Sequence, residues 1–350
     1  MKDFRFNFFM DAPTATIQEK IPVTQRMIDT HDKIICSISG GSDSDDMLDL
    51  VWNLDPDKKI IYVFMDTGIE MDVTKRQLVN LENKYRIHIE TIKPKKPVPL
   101  AVAKYGCPFY SKIFSEYIHR LQIHDFKWED RPFEELYAEY PKCKAALRWW
   151  CNCFKDGPHR PLQTEIGSAP FLKEYMIENP PHYIISPTCC ECAKKRPADQ
   201  AKKRFDADIS FVGIRKAEGG ARSKSYKTCF VDGRHGQQHF PLFWWKAADK
   251  QAYEQQRGIV HSEAYTVYGC HRTGCAGCPY GSGFEQELEM LCTYEPKLYA
   301  AVSNIFAPSY DYTRKYREFK DNQKELCVRS TLKNENLADQ LSFYDEGEAV

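Results

Sequence analysis

The 350 residues suffice for one large domain or two small ones, and the composition, 42% hydrophobic and 28% charged, is that of an ordinary globular protein. The formal net charge is zero, so bulk electrostatics predicts neither nucleic-acid coating nor membrane adhesion. No apolar run approaches the ~20 residues that span a bilayer, and the N-terminus lacks the pattern of a secretory signal. We expect a cytoplasmic protein, in which 14 clustered cysteines favour metal ligation or reactive thiols over disulfides.

The predicted elements follow one another in a regular order over the first part of the chain. Apolar runs and helical spacing predict strand, helix, strand, helix and strand over 33–39, 45–54, 60–66, 73–85 and 86–92. This alternation is typical of an α/β fold with a parallel sheet and helices on both faces. After an interruption, the sheet is expected to resume at 182–186 (HYIIS) and 208–215 (DISFVGIR).

The interruption at about 97–180 is rich in aromatic and charged residues. It predicts a mostly helical insert over the sheet. The chain beyond residue 285 is also predicted to be helical. We therefore expect one α/β domain over 1–285 that carries the insert, followed by a helical extension over 286–350.

The turn after the first strand is made of small and hydrogen-bonding residues. It reads SGGSDS and comprises Ser39, Gly40, Gly41, Ser42, Asp43 and Ser44. Glycines allow backbone angles barred to other residues, and the N-terminus of the helix that follows stabilises a phosphate or sulfate. The serine hydroxyls add donors, and Asp43 is a candidate helix cap. The turn predicts an anion site, with a plain helix cap after a β-turn as the alternative.

Two cysteine-rich segments lie in the second half of the chain. The first, TCCECAKKRP, spans 188–197, and the second, GCHRTGCAGCPYG, spans 269–281. A C-x-x-C pair combined with a distant cysteine group fits thiolate ligation of zinc or of an iron–sulfur cluster. The candidate ligands are Cys189, Cys190, Cys192, Cys270, Cys275 and Cys278.

The glycine turn resembles the SGGxDS loop of the PP-loop ATP pyrophosphatases. That family, with its adenine nucleotide alpha hydrolase-like fold, also ends its second strand in DTG, here Asp66, Thr67 and Gly68. The resemblance implies that the loop holds the phosphates of an adenine nucleotide and that the DTG edge contacts its ribose and adenine. Many relatives carry lysine at the position of Ser42, so a lysine or arginine from elsewhere must supply that charge.

The second half resembles the sulfonucleotide (APS/PAPS) reductase family, in its cluster-bearing form. The matching residues occur in the family's order: Cys189, Cys190, Lys194, Pro197, Gly213, Arg215, Glu218, Arg222, Pro241, Leu242, Trp245, Asp249, Tyr253, Gly274, Cys275 and Cys278. The resemblance implies a 4Fe–4S cluster on Cys189, Cys190, Cys275 and Cys278, with Lys194 near it. Cys192 and Cys270 are substitutes if the adjacent pair does not bind. Arg215 and Arg222 suit a bidentate grip on phosphate or sulfate.

The chain departs from this family in two places. Reductases attack sulfur with a cysteine in a C-terminal Glu-Cys-Gly-Leu/Ile-His motif, whereas Cys327 lies in KELCVRS and lacks the Gly and His. Cys327 is the candidate nucleophile, with a buried helix cysteine as the alternative. The glycine loop is also intact, as in relatives that cleave ATP, such as the iron–sulfur subunit of DNA phosphorothioation systems. Enlarged members of this kind occur on mobile elements and act with partner proteins.

Three functions follow from these resemblances. The first, in sulfur metabolism, is reduction of APS or PAPS to sulfite, with a thioredoxin-like thiol as electron donor. The second is an ATP pyrophosphatase that activates a substrate for sulfur transfer, with Mg²⁺ on the phosphates and Asp43, Asp45 or Asp46 as its ligands. DNA-processing proteins would be partners in that case. The third is a non-catalytic nucleotide or redox sensor.

Overall fold

The computed structural model describes residues 11–219, 225–233, 236–281 and 283–345, with side chains as far as residue 327. The chain divides into two units. Unit 1 comprises Met1–Ala101 and Cys189–Ile305, and unit 2 comprises Val102–Thr188 and Phe306–Val350. The boundary at residue 285 stays a prediction.

Unit 1 is built on a six-stranded sheet with the order β3-β2-β1-β4-β6-β5. All neighbouring strands are parallel except β5 and β6, which form an antiparallel pair. Ile34 on the central strand lies opposite Ile60 on one side and Ile209 on the other. The strands are β1 Ile34–Ser37, β2 Ile60–Met65, β3 Ile89–Ile92, β4 Ile209–Val212, β5 Phe230–Gly233 and β6 Gly236–His239.

Helices pack on this sheet through their apolar faces. The second helix buries Met47, Leu50, Val51 and Leu54, which join Ile34 of β1 in one core cluster. The helices of unit 1 are α1 Ala15–Thr30, α2 Ser42–Leu54, α3 Asp72–Tyr85, α10 Arg196–Phe205, α11 Ala247–Arg257, α12 Glu263–Thr266, α13 Phe284–Tyr294 and α14 Pro296–Ile305. The short helix α9, Thr188–Cys190, begins on the last residue of unit 2 before the boundary. Helix α4, Val98–Tyr105, crosses the boundary between the units.

Unit 2 is a helical unit with an aromatic core. Trp149 and Trp150 are 0% exposed, and Phe114 packs edge-on against Trp149 with ring centroids 5.2 Å apart. Tyr312 and Tyr316 on the C-terminal helix donate hydrogen bonds to backbone carbonyls within the same unit. Its helices are α5 Lys112–Gln122, α6 Phe133–Glu139, α7 Lys144–Trp150, α8 Leu172–Glu178 and α15 Ala307–Asp345. Among the described residues, no helix is long and apolar enough to cross a membrane.

Most of the predicted elements are confirmed, including the helical character of 97–180 and of the chain after 285. The strand predicted at 182–186 is wrong. Ile185 forms only an isolated bridge with Cys107, and its side chain belongs to the core of unit 2. Helix α1 and the hairpin of β5 and β6 were not predicted. The hairpin segment contains polar glutamines and a histidine instead of an apolar run, so its sequence lacks the hydrophobic pattern that predicts a strand.

Candidate functional site

The glycine loop lies at the carboxyl end of β1, between β2 and β4. This is the point where the strand order reverses, the usual ligand crevice of an open parallel sheet. Gly40 has a φ of +67°, which favours glycine, and a Cβ there would lie 2.9 Å from the methyl group of Thr74. A Cβ on Gly41 would lie 2.9 Å from Thr273 Oγ1. The loop needs both glycines, because neighbouring segments approach its backbone closely.

The loop serines are held in a fixed arrangement at the start of α2. Ser44 Oγ donates to the carbonyl of Gly41 at 2.7 Å and accepts from the amide of Ser39 at 3.2 Å. Ser42 N–H donates to the hydroxyl of Tyr265 at 3.0 Å. The cap residue is Gly41, which has no side chain, so Asp43 is not the helix cap that we expected but a first-turn residue. The helix N-terminus therefore keeps its partial positive charge at this turn.

Asp43 is neutralised by two cations that come from different parts of unit 1. Arg215, just beyond the end of β4, donates from Nε at 2.9 Å, and Lys250 on α11 lies 2.7 Å away. Both cations and Asp43 are largely buried, with side-chain exposures between 14% and 18%. Lys250 is thus a candidate for the basic residue that the loop lacks at Ser42. The other predicted anion-binding residue, Arg222, lies outside the described residues.

The DTG turn leads from β2 toward the cysteines. Asp66 Oδ1 accepts from the amide of Gly68 at 2.9 Å, which closes the turn. Thr67 Oγ1 donates to the buried carboxylate of Glu70 at 2.6 Å. Cys275 Sγ donates to Thr67 Oγ1 at 3.6 Å, and the amide of Ala276 donates to Ile69 O at 3.1 Å. The C-x-x-C loop is therefore attached to the nucleotide edge predicted by DTG.

The four cysteines predicted as cluster ligands lie near one another. Cys189 and Cys190 form the helical turn α9, and Cys275 and Cys278 lie in the loop before α13. A hydrogen bond with Cys190 raises the pKa of Cys189, together with burial and the charges of Cys190, Cys278 and Cys275. Burial and the charge of Cys275 raise the pKa of Cys278 to about 12. The thiols are desolvated and would repel one another as thiolates, so a cation at their centre would be stabilised.

Lys194 and Glu70 influence each other electrostatically beside these thiols. Lys194 belongs to a π-helical turn, Glu191–Lys195, that follows the adjacent cysteines. Burial alone would lower the pKa of Lys194, but the charges of Cys275 and Glu70 outweigh it and raise the pKa. Burial raises the pKa of Glu70 despite its bond from Thr67. The structure thus places Lys194 next to Cys275.

The remaining candidate cysteines have other surroundings. Cys192 is buried. The pKa of Cys270 is raised to about 11 by burial and by the charges of Glu287 and Glu295, and none of the four thiols above contributes to this shift. Cys327 is exposed on α15 in unit 2, which excludes the buried alternative. Three cysteines of unit 2 each donate to a different backbone carbonyl: Cys143, Cys151 and Cys153.

A group of acidic residues lies one turn further along α2. Asp45 and Asp46 are both 0% exposed. His261 joins them to α11, with Nδ1 at 3.3 Å from Asp45 Oδ2 and Nε2 at 2.7 Å from Glu254 Oε1. Burial raises the pKa of Asp46 to about 7, partly opposed by Lys250. Burial alone would lower the pKa of His261, but its bonds to Asp45 and Glu254 raise it to about 9.

The match to a known family covers both the glycine loop and the cysteine segments. The family model described as the phosphoadenosine phosphosulfate reductase domain matches residues 33–127 and 173–280, more than half of the chain. The chain belongs to this family. The match ends before Cys327, so the predicted nucleophile lies in a part of the chain that the family model does not cover.

Solved structures of the family and of related folds are similar to the chain. A phosphoadenylyl-sulfate (PAPS) reductase from Candida auris, in a phosphate complex, is 13% identical with a TM-score of 0.41, over 73% of this chain and 87% of that one. An NH3-dependent NAD synthetase from Campylobacter jejuni is 11% identical with a TM-score of 0.33, over 85% and 94%. A U34-tRNA thiolase from Methanococcus maripaludis with its 4Fe–4S cluster is 12% identical with a TM-score of 0.35, over 86% and 79%. No curated protein matches the chain.

Several residues at this reductase-family site were not predicted. Lys250, Tyr265 and Thr273 contact the glycine loop, and the charge of Glu70 acts on Lys194. Only Glu70 could have been found from the sequence, because it follows Gly68 of the DTG turn by two residues and must lie near that turn. The other three come from distant segments, and nothing in their spacing indicates which loop they approach.

Proposed function

We propose that the protein is an iron–sulfur enzyme that binds an adenine sulfonucleotide on its glycine loop and reduces APS or PAPS to sulfite. The contact between the glycine loop and the C-x-x-C loop supports this proposal above all else. Thr273 approaches Gly41, and two residues later Cys275 bonds to Thr67 of the DTG turn. An anion on the loop would therefore lie beside the thiols.

The nucleotide would be held by groups of this chain that converge at the loop. The amides at the start of α2, the hydroxyls of Ser39 and Ser42 and the positive end of the helix suit a phosphate or sulfate. Asp43 alone would repel that anion. Its pairing with Arg215 and Lys250 removes the repulsion, and the Nη groups of Arg215 suit planar recognition of the anion.

The four thiols fit a 4Fe–4S cluster as a donor set. They come from two segments, are desolvated together and form no disulfide among the described residues. Cys189, Cys190, Cys275 and Cys278 would hold the cluster, which would supply cationic iron beside the sulfonyl group. Lys194, adjacent to Cys275, would add a positive charge that draws the sulfonyl oxygens toward the thiols.

In the proposed reaction the thiolate of Cys327 attacks the sulfonyl sulfur. The bond between that sulfur and the phosphate oxygen breaks, and AMP or its 3′-phosphate analogue leaves with the electron pair. A dithiol carrier then attacks the Cys327 sulfur, which releases sulfite and forms a mixed disulfide. The second carrier thiol resolves this disulfide and restores Cys327, so the carrier supplies the two electrons.

The intact glycine loop favours a second candidate, an ATP pyrophosphatase. Gly40 keeps the positive φ that the turn needs, and the cap residue of α2, Gly41, has no side chain that could accept from the first-turn amides. Such a loop accommodates a pyrophosphate as readily as a sulfonyl phosphate. The enzyme would then release pyrophosphate from ATP.

One assay separates these functions. The protein is purified without oxygen and offered APS, PAPS or ATP together with reduced thioredoxin, and sulfite and pyrophosphate are measured. We expect sulfite from APS or PAPS. Pyrophosphate from ATP, without sulfite, would replace the reductase by the second candidate, and the absence of both products would leave a non-catalytic sensor.

Two cysteine substitutions test the cluster and the nucleophile separately. We expect C278S to lose bound iron and visible absorbance, whereas C292S, at an exposed cysteine on α13, keeps both. We expect C327S to keep the iron and lose sulfite release. Iron retained in C278S at the wild-type level would refute the ligand set, and sulfite release by C327S would exclude that residue as nucleophile.

A further inference from the structure

The acidic group behind the glycine loop carries more negative charge than its neighbours balance. Four carboxylates meet there, Asp43, Asp45, Asp46 and Glu254, and the permanent cations that face them are Lys250 and Arg215. With a neutral His261 two negative charges remain in this largely buried place, and a proton on His261 offsets one of them. Buried charges are costly unless they are paired, so this excess calls for a further positive group.

Asp46 is the residue whose requirements are least satisfied. Its side chain is 0% exposed, and within the described part of the chain neither carboxylate oxygen has a hydrogen-bond partner. Lys250 Nζ forms an ion pair with Oδ2 at 3.0 Å, whereas Oδ1 lies 3.9 Å from His261 Nε2. A buried carboxylate usually accepts hydrogen bonds on both oxygens, so Asp46 has unused capacity to bind a positive ligand.

Three ligand atoms surround the point that Asp46 faces. One oxygen of Asp46, one of Glu254 and a ring nitrogen of His261 all lie within 4.8 Å of one another. Among the described residues, no other group of three or more His, Cys, Asp or Glu side chains brings its ligand atoms this close together. They come from α2, from α11 and from the segment between α11 and α12.

His261 is oriented as a metal-binding histidine is. Its Nδ1 faces Asp45 Oδ2 at 3.3 Å, and Gln77 donates to the same Asp45 oxygen at 2.9 Å. A carboxylate that receives the second ring nitrogen fixes the tautomer and turns the first nitrogen toward the metal. In this structure that first nitrogen, Nε2, lies 2.7 Å from Glu254 Oε1 and 3.9 Å from Asp46 Oδ1, and a bound ion would take the place of its proton.

We propose that Asp46, Glu254 and His261 bind a divalent first-row transition-metal ion that is separate from the iron–sulfur cluster. Two carboxylates and one imidazole form a mixed donor set that suits Mn²⁺ or Zn²⁺ better than an all-oxygen Mg²⁺ site. The ion would replace the proton of His261, and its two charges balance the two carboxylates that the neutral ring leaves uncompensated. By joining α2 to α11, the ion fixes the helix that begins at the glycine loop.

A groove on the surface of unit 1 supplies an entry path. It has a volume of about 530 Å³ and is lined by residues of α3 and of the 260–263 segment, among them Gln77 and His261. The groove thus reaches the histidine ligand and the residue that holds Asp45 in place. An ion can exchange there without passage through the glycine loop.

The test uses MnCl₂ as the probe, because Mn²⁺ prefers carboxylate and imidazole donors to the thiolates of the cluster site. The full chain is purified without oxygen, freed of loosely bound metal with EDTA and titrated without nucleotide, and free Mn²⁺ is measured by electron paramagnetic resonance. We expect about one Mn²⁺ per chain, with roughly tenfold or greater weakening in H261Q and in E254Q. C278S should bind Mn²⁺ as the wild type does.

The matched control is E263Q, because Glu263 lies on the same segment but is exposed and pairs with Arg76. Its Mn²⁺ affinity should equal that of the wild type. If the wild-type chain binds no Mn²⁺, the charge excess is balanced by protons and the proposal is overturned, whatever the variants do. Equal binding by the wild type, H261Q and E254Q would also overturn it, since the ion would then lie elsewhere.

Discussion

His239 on strand β6 makes folding depend on pH in a defined direction. Its side chain is 1% exposed, and its Nε2 lies 3.0 Å from the hydroxyl of Thr24 on α1. Its ring packs edge-on against Phe211 of β4 with centroids 5.2 Å apart. Burial lowers the pKa of this imidazole to about 4. The folded state therefore holds His239 neutral at a pH where the unfolded chain already protonates it.

The size of the effect follows from the two pKa values. The ordinary pKa of histidine is about 6.5, and the folded value is about 4. A group whose folded pKa is depressed contributes its full stability above the unfolded pKa and loses it as the pH falls toward the folded pKa. Between about pH 7.5 and about pH 5, this linkage should lower the free energy of unfolding by about 2 kcal/mol.

The assay compares urea unfolding of the wild type and of H239Q at both pH values by far-ultraviolet circular dichroism. Glutamine keeps an amide that can bond to Thr24 but does not titrate, so H239Q should lack the ~2 kcal/mol loss. The matched control is H88Q, at a histidine whose side chain is 75% exposed, and it should follow the wild type. If the wild type and H239Q lose equal stability on acidification, His239 is not held neutral by burial.

Three further substitutions probe the loop and the two cores. We expect G41A to weaken adenine-nucleotide binding by roughly tenfold in calorimetry, because the new Cβ would lie 2.9 Å from Thr273 Oγ1. R257M should cost about 3 kcal/mol in urea unfolding, because Arg257 donates to the buried carboxylate of Asp49 at 2.8 Å. W149A should cost about 3–5 kcal/mol through the cavity it leaves in the aromatic core of unit 2.

Each of these predictions has an outcome that contradicts it. G233A is the control for the loop, since its Cβ would approach only Val231 Cγ1, at 3.8 Å, and unchanged binding in G41A would show that the loop does not hold the nucleotide. R204M removes an exposed ion pair with Glu90 and should change stability by less than about 1 kcal/mol. If R257M loses as little free energy of unfolding as R204M, the buried carboxylate of Asp49 does not need the charge of Arg257. If the urea midpoint of W149A equals that of the wild type, the side chains of unit 2 must repack and fill the cavity left by the indole ring.

Local patterns predicted the elements of the sheet that matter most for the site. The apolar runs of β1, β2 and β4 are bounded by turns, and strands buried on both faces produce such runs. The segment at 182–186 has the same apolar character but packs in unit 2, because an apolar run signals burial and not the partner against which it is buried. Helix α1 has buried residues at helical spacing, Ile17, Ile21 and Ile28, and this pattern alone predicts the helix.

By itself the sequence determined the chemistry of the glycine turn and of the two cysteine segments. Both features consist of residues that are neighbours in the chain, so their spacing can be recognised without the fold. Only the tertiary structure decided which distant groups complete them. Lys250 reaches Asp43, Thr273 reaches Gly41, and His261 reaches Asp45 across more than 160 residues. These contacts depend on how α11 and the 260–273 segment cross the carboxyl end of the sheet, and side-chain pairing over such separations carries no periodic signal.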